Sequence, residues 1–288
     1  MPKKKKGGAS PPPLQALGTD ELSPAKTLES NEVEDGPSAA TIEKRIEFIT
    51  KTSSFLAKVE DAGLLEETPC LKNWQKFCRD DFQKTCACIL AHDGRMNRGV
   101  INAIMSLRKL DFLEVDFLSN VCENEIMNEG DDEYSEKIFR LFLYVGFDEE
   151  FAMQGPHAIM AFAYRFKQLS CASDRASFEA MCSDLPDISW SSLALINHYI
   201  FGVENLVVDP DVKAFLTMSK WTKKKDAEEI SEDVKSWLPG EYWTPLFEDI
   251  ATIRQLWYDD SFGTKNKAAM KRIAKEAGFA KELKSIVV

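Results

Sequence analysis

The sequence is poor in the residues from which the commonest catalytic and metal motifs are built. It has three histidines and 14 glycines in 288 residues, and it contains no phosphate-binding glycine loop, no His-Glu-x-x-His zinc motif and no Gly-x-Ser-x-Gly elbow. Its seven cysteines are scattered, and an odd number argues against a disulfide framework. No cysteine follows Cys182, which excludes a C-terminal four-cysteine iron–sulfur loop. We therefore expect neither a metal nor an organic cofactor, and most thiols should be small buried side chains.

Positive charge is also scarce. The chain has 36 Lys and Arg against 47 Asp and Glu, a net charge of −11. A protein that follows a phosphate backbone usually carries a positive face, so this balance lowers the expectation of nonspecific nucleic-acid binding, although a local basic patch remains compatible with it. No apolar run is long enough to span a bilayer, and no secretory signal stands near the start. We therefore expect an intracellular protein with no membrane partner.

Residues 1–40 differ in composition from the rest of the chain. They hold four consecutive lysines, Lys3–Lys6, and three consecutive prolines, Pro11–Pro13, but few large apolar residues. Such a segment cannot bury enough surface to order itself, so we predict a disordered tail. The lysine run is typical of a nuclear-import signal, and a solvated basic tail is the alternative. The expected location is the nucleus if the run acts as a signal and the cytoplasm otherwise.

From Thr41 onwards the apolar residues recur at helical spacing, as in the face formed by Ile42, Ile46 and Ile49. Strand-like alternation bounded by hairpin turns does not occur. The pattern therefore predicts an all-α fold. The Gly155-Pro156 pair should interrupt the helical pattern, since proline removes a helical hydrogen bond.

Two later prolines each follow a residue that caps helices well. Pro210 follows Asp209 and Pro245 follows Thr244, so each proline is expected at the first position of a helix. With the apolar spacing, these signals predict helices over 191–201, 210–219, 227–238, 245–258 and 265–284.

The most informative segment runs from Leu185 to Asp209. It contains Leu185-Pro186, a helix that ends at Phe201-Gly202, and the pair Val208-Asp209. These intervals resemble those of the helix-hairpin-helix DNA glycosylases, the endonuclease-III-like family of base-excision repair. Members of that family carry a Leu-Pro-Gly-x-Gly hairpin, a helix that ends in Phe-Gly, and a Val-Asp pair that supplies the catalytic aspartate. The resemblance covers residues 80–220 and is sharpest over this segment.

The resemblance implies a two-lobed helical protein with a cleft. Residues 80–205 would form a central lobe, and residues 41–79 with 206–288 the other. Asp209 would be the catalytic carboxylate, which stabilises the sugar cation or activates water while an N-glycosidic bond of a damaged or modified nucleotide is hydrolysed. A flipped base would enter the cleft, where the family's corresponding turn places His92 and Asp93 in the nucleotide pocket.

Three residues depart from the family's pattern. Asp187 and Ser189 replace the hairpin glycines, whose backbone N–H groups approach a DNA phosphate closely. A carboxylate at such a place repels phosphate, so the usual phosphate clamp should be lost. Ser191 stands where strand-cutting members carry a lysine, which excludes Schiff-base chemistry and leaves the monofunctional, water-using route.

Each candidate residue has a structural alternative. Asp209 before Pro210 is also an ordinary helix N-cap. His198 is either a substrate-binding residue or a core residue, and Trp190 could stack on a base or fill the space of the missing glycines. His92 and Asp93 would otherwise belong to a solvated polar turn.

Two basic runs are the candidates for nucleic-acid contact. The first consists of Lys220, Lys223, Lys224 and Lys225, and the second lies between Lys265 and Lys284. Solvated helices that pair with the acidic remainder are the alternative. Three functions stay open from the sequence: DNA glycosylase-like hydrolysis, the same hydrolysis on a small nucleoside or nucleotide, and a non-catalytic interaction protein on the same scaffold.

Overall fold

The computed structural model describes residues 36–66, 68–126, 133–169, 175–185 and 188–288. Within these ranges it contains thirteen α-helices and no strand, so the all-α prediction is confirmed. The Lys3–Lys6 run lies outside the described residues. The helices are α1 Ala39–Asp61, α2 Asp81–Leu90, α3 Arg98–Lys109, α4 Val115–Ile126, α5 Glu133–Val145, α6 Glu149–Leu169, α7 Arg175–Ser183, α8 Trp190–Tyr199, α9 Pro210–Met218, α10 Ala227–Trp237, α11 Trp243–Tyr258, α12 Gly263–Glu276 and α13 Ala280–Ile286.

Several predicted helix boundaries are wrong. The helix predicted over 191–201 ends earlier, since α8 ends at Tyr199. Pro156 lies inside α6, which continues through it. The α11 helix begins at Trp243 rather than at Pro245, with no side-chain cap. The predicted helix 265–284 is two helices, because the backbone at Gly278 takes a φ of 68° and ends α12.

Packing explains why Pro156 does not end its helix. A proline inside a helix costs about 3 kcal/mol relative to alanine. The residue before it, Gly155, is buried, and a Cβ atom there would lie 3.0 Å from the Phe142 ring and 3.1 Å from the Phe151 ring. Phe151 belongs to α6 itself, whereas Phe142 belongs to α5. Tertiary packing of α6 against α4 and α5 therefore overrides the local preference.

Helices from the two ends of the described chain pack together. The α1 helix lies against α11 and α12, and α9 and α13 also contact α11. Aromatic pairs join them: the Phe55 and Phe279 rings stack with centroids 4.6 Å apart, and Phe48 and Phe215 stack at 5.3 Å. The intervening helices α2–α8 contact one another, with α6 against α2, α4, α5 and α7, and with α2 against α8. This last contact sets the loop after α2 against the start of α8.

Among the described residues, every helix is too short or too polar to cross a lipid bilayer. Of the cysteines in that part of the chain, Cys70, Cys86, Cys88 and Cys182 are buried. Burial raises the pKa of the Cys86 and Cys88 thiols well above the usual range, so both stay protonated small side chains. Cys171 lies outside the described residues.

Candidate functional site

Asp209 is the N-cap of α9. Its Oδ1 atom accepts a hydrogen bond of 2.7 Å from the Val212 N–H, and Pro210 takes the first helical position. The extended backbone of Asp209, with φ −79° and ψ 172°, is the usual conformation of a capping residue. The capping role predicted from the sequence is therefore confirmed.

The carboxyl group of Asp209 is deeply buried. The residue is 2% exposed, and its Oδ2 atom has no hydrogen-bond partner within the described part of the chain. Burial, and then the nearby Asp211 carboxylate, raise the pKa of Asp209 to about 8, against the opposing effect of the Val212 N–H and of Arg95. The group is therefore mostly protonated at neutral pH.

The backbone of Gly94 packs against Asp209. Gly94 lies in the loop of residues 91–97 between α2 and α3, with a φ of 82°. A Cβ atom on it would lie 3.1 Å from Cβ of Ser191 and 3.3 Å from Cβ of Asp209. Only a glycine fits this approach without strain. The loop 91–97 thus lies against both positions at which the resemblance places catalytic side chains.

Serine side chains tie the start of α8 to the same loop. Ser189 is the N-cap of α8 and accepts a 2.9 Å hydrogen bond from the Ser192 N–H. Its hydroxyl also donates a short hydrogen bond to the His92 carbonyl. The side chain that replaces a hairpin glycine therefore holds the loop 91–97 in place. Pro186 and Asp187 lie outside the described residues, so the loss of the phosphate clamp stays a prediction.

His92 and Asp93 line a cavity of about 250 Å³, together with Arg95, Phe147 and Phe151. The His92 and Phe151 rings lie 5.7 Å apart between centroids. We call this space the aromatic cavity. His92 and Asp93 are themselves exposed and lie in a turn, as the alternative of a solvated polar turn predicts.

A second cavity of about 460 Å³ adjoins the first, since Arg95, Asn97 and Gly146 line both. Its lining includes three arginines and a glutamine, and we call it the arginine cavity. Asp211 lies between two of the arginines: its Oδ2 is 3.2 Å from Nε of Arg95, and its Oδ1 is 3.2 Å from Nε of Arg254. The charged and amide side chains that line it, besides Asn97, are Arg95, Arg98, Arg254, Gln255, Asp211 and Asp259.

His198 faces a different part of the molecule. Its Nε2 lies 3.8 Å from Oε1 of Glu248, and its ring packs edge-on against Tyr199 and Phe247 with centroids 4.6 and 5.0 Å away. These contacts direct it towards α11, whereas the contacts of His92 are with Phe151. Trp190 is half-buried against the apolar core. Of the five residues predicted for the site, His92 and Asp93 share a cavity and Asp209 lies behind their loop.

The first basic run is on the surface. Lys220, Lys223, Lys224 and Lys225 are exposed, while Trp221 between them is half-buried. Trp221 packs edge-on against Phe215, and the Arg45 guanidinium lies 5.2 Å from its ring. The tryptophan therefore anchors the segment, while contact of the exposed lysines with nucleic acid stays a prediction.

The arginine cavity is the part of the site that sequence reasoning missed. Arg95 and Arg98 stand beside His92 in the sequence, but Asp211 and Arg254 join them only through packing of α9 and α11. Comparison of the chain with protein-family models, with curated proteins and with solved structures found no match.

Proposed function

We propose that the protein is a glycosylase-like hydrolase that cleaves the N-glycosidic bond of a damaged or modified nucleotide without a metal or organic cofactor. Its scaffold would be the two-lobed helix-hairpin-helix fold, with residues 80–205 in one lobe and residues 41–79 with 206–288 in the other. Packing of α1 against α11 and α12 supports this division. The order of α8, Phe201-Gly202 and the Asp209 cap of α9 supports it as well.

One observation carries the proposal: Asp209 buries a carboxyl oxygen that the fold does not use. A serine, threonine or asparagine would cap α9 about as well as an aspartate. Burying an acid instead raises its pKa to about 8 and leaves Oδ2 without a partner among the described residues. Buried groups with a shifted pKa and an unsatisfied polar atom are typical of functional sites. Asp209 lines neither of the two cavities and lies under the loop that borders them.

The chemistry assigned to Asp209 is simple hydrolysis. A water oxygen forms a bond to the sugar C1′ while the bond from C1′ to the base nitrogen breaks, and the base leaves with the bonding electrons and gains a proton. Ionised Asp209 stabilises the cationic sugar or accepts the proton of the water. Because Gly94 covers Asp209, the loop 91–97 has to move before the sugar can reach the carboxylate.

The site favours a small nucleotide over a DNA duplex. The hydroxyl of Ser189, at a hairpin glycine position, bonds the His92 carbonyl, so this side chain occupies space that a phosphate clamp would need. The net charge of −11 also opposes a long phosphate backbone. The exposed run that begins at Lys220 is the surface on which a duplex would otherwise lie.

A second candidate is a non-catalytic binding protein on the same scaffold. It is favoured by the burial of Asp209, which is only 2% exposed and has the Gly94 backbone packed against its Cβ atom. Asp209 would then be a cap and nothing more, and the two adjoining cavities would bind a ligand without changing it.

Release of free base from a panel of damaged oligonucleotides, nucleotides and nucleosides separates the two candidates. Asp209→Asn keeps a capping side chain and removes the acid. Asp226→Asn is the matched control, because Asp226 is an exposed N-cap, on α10. We expect release from nucleotides that Asp209→Asn abolishes and Asp226→Asn preserves. Equal release by wild type and Asp209→Asn removes Asp209 from the mechanism, and no release from any substrate supports the binding protein.

A further inference from the structure

The arginine cavity concentrates positive charge and hydrogen-bond donors. Arg95, Arg98 and Arg254 reach it from the loop 91–97, the start of α3 and the end of α11. Arg98 and Gly99 are the first residues of α3, whose opening N–H groups lack partners within the helix. Asn97 caps α3, since its Oδ1 accepts a 3.1 Å hydrogen bond from the Val100 N–H, and the Ile101 N–H bonds the Asn97 carbonyl. The N–H groups that this helix start offers to a ligand are therefore those of Arg98 and Gly99. Such an array of guanidinium and helix N-terminal groups matches the geometry of a phosphate group.

Two donors in this cavity are buried without a hydrogen bond. Nε2 of Gln255 has no acceptor within the described ranges, while Oε1 of the same amide accepts a 2.9 Å hydrogen bond from the Leu71 N–H. Nε of Arg95 lies within ion-pair distance of Asp211 but outside hydrogen-bond geometry. A buried donor without an acceptor costs free energy, so a bound acceptor would stabilise the Gln255 amide, whereas Arg95 already has the charge of Asp211 beside it.

The carboxylates in the lining do not cancel this charge. Asp211 is shared between Arg95 and Arg254, which fixes all three side chains. Asp259 lies 4.0 Å from Arg98, at the limit of an ion pair, and its Oδ1 accepts a hydrogen bond from the Ser261 N–H. The three arginines exceed the two aspartates, and the Arg98 side chain is 50% exposed and able to turn towards a ligand.

We propose that the arginine cavity binds a phosphate monoester, with Arg98, the start of α3 and the Gln255 amide as its donors. The adjoining aromatic cavity then takes the base, between His92, Phe147 and Phe151. The ligand of the cleft is accordingly a nucleoside 5′-monophosphate rather than a nucleoside. The choice of substrate rests on the function proposed above, while the phosphate site itself does not.

Isothermal titration calorimetry of the full chain tests the site with inorganic phosphate, ribose 5-phosphate, nucleoside 5′-monophosphates and the matching nucleosides. We expect each monophosphate to bind at least about tenfold more tightly than its nucleoside, as charge-assisted hydrogen bonds would provide. Arg98→Gln should remove that difference and Arg98→Glu should abolish phosphate binding. Arg272→Gln, an exposed arginine on α12 that pairs with Glu276, is the matched control and should bind as wild type does.

Several results would overturn the site. They are equal binding of nucleosides and monophosphates, no binding of any phosphate compound by wild type, or wild-type binding by both Arg98 variants. Since Arg98 is half-exposed, thermal unfolding should confirm that its variants fold. If phosphate binds and depends on Arg98 while no base is released, the site stands and the hydrolase is wrong. If nucleosides and monophosphates release base equally, the hydrolase stands and the phosphate site is wrong.

Discussion

Gly94 lies directly over Asp209, close enough that a Cβ atom at the glycine would be 3.3 Å from Cβ of the aspartate. The packing of α2 against α8 produces this contact, since the loop 91–97 continues from the end of α2. The proposed catalytic group and the loop that shields it are therefore parts of one structural unit. A change at Gly94 should affect both stability and access to Asp209.

Gly94→Ala should destabilise the protein by about 1–3 kcal/mol, because alanine at a φ of 82° is strained and its methyl group meets Ser191 and Asp209. Equilibrium denaturation measures the effect. Gly202→Ala is the control: its φ is 65°, but a Cβ there meets no atom of the described residues within 4 Å. The loss of stability in Gly202→Ala should therefore come from backbone strain alone. Equal losses in the two variants would mean that the contact with Asp209 contributes nothing.

Asp209→Asn should stabilise the protein, and more so at high pH. The carboxyl titrates near pH 4 when unfolded, and burial raises its pKa to about 8 when folded. Between these values the folded state binds the extra proton, so wild-type stability from this group falls as pH rises from 4 to 8. Asn does not titrate, so the variant does not lose stability in this way. Its free energy of unfolding at pH 8 should exceed that of the wild type by about 1 kcal/mol or more.

Denaturant unfolding at pH 5 and pH 8.5 checks this expectation. Asp226→Asn, at the exposed cap of α10, should show no comparable difference between the two pH values. A gain for Asp209→Asn that is the same at both pH values would contradict the raised pKa.

If base release depends on ionised Asp209, its rate should rise with pH. Because the pKa of Asp209 is raised to about 8, kcat/KM should increase about tenfold per pH unit below that value and level off above it. Single-turnover base release between pH 5.5 and 9.5 gives the profile. A rate that falls over this range would assign the essential group to an acid instead.

Ser189→Ala should cost about 1–2 kcal/mol of stability, since it removes the α8 cap and the hydrogen bond to the His92 carbonyl. It should also increase hydrogen exchange in the loop 91–97, because that loop loses a tether. Ser183→Ala is the control, as Ser183 is exposed and bonds only a carbonyl of its own helix. Unchanged exchange in the loop would show that Ser189 does not hold it.

A capping residue followed by a proline predicted the start of one helix correctly and the start of another wrongly. Asp209 before Pro210 indicated a cap and the start of a helix, and both are present. The same logic failed at Thr244 before Pro245, where α11 begins two residues earlier than Pro245. There the 3₁₀ turn Gly240–Tyr242 leads directly into the helix, so no side-chain cap is needed.

The sequence by itself determined the all-α class, the cap at Asp209 and the absence of a lysine at Ser191, because each depends on residue type and near neighbours. Only the tertiary structure placed Gly94 over Asp209 and joined Arg95 and Arg254 through Asp211. These contacts link residues far apart along the chain, and their distances follow from how whole helices pack. The spacing of apolar residues predicts which face of each helix is buried. It does not predict that the loop 91–97 contacts Asp209, because that contact depends on how the helices pack together.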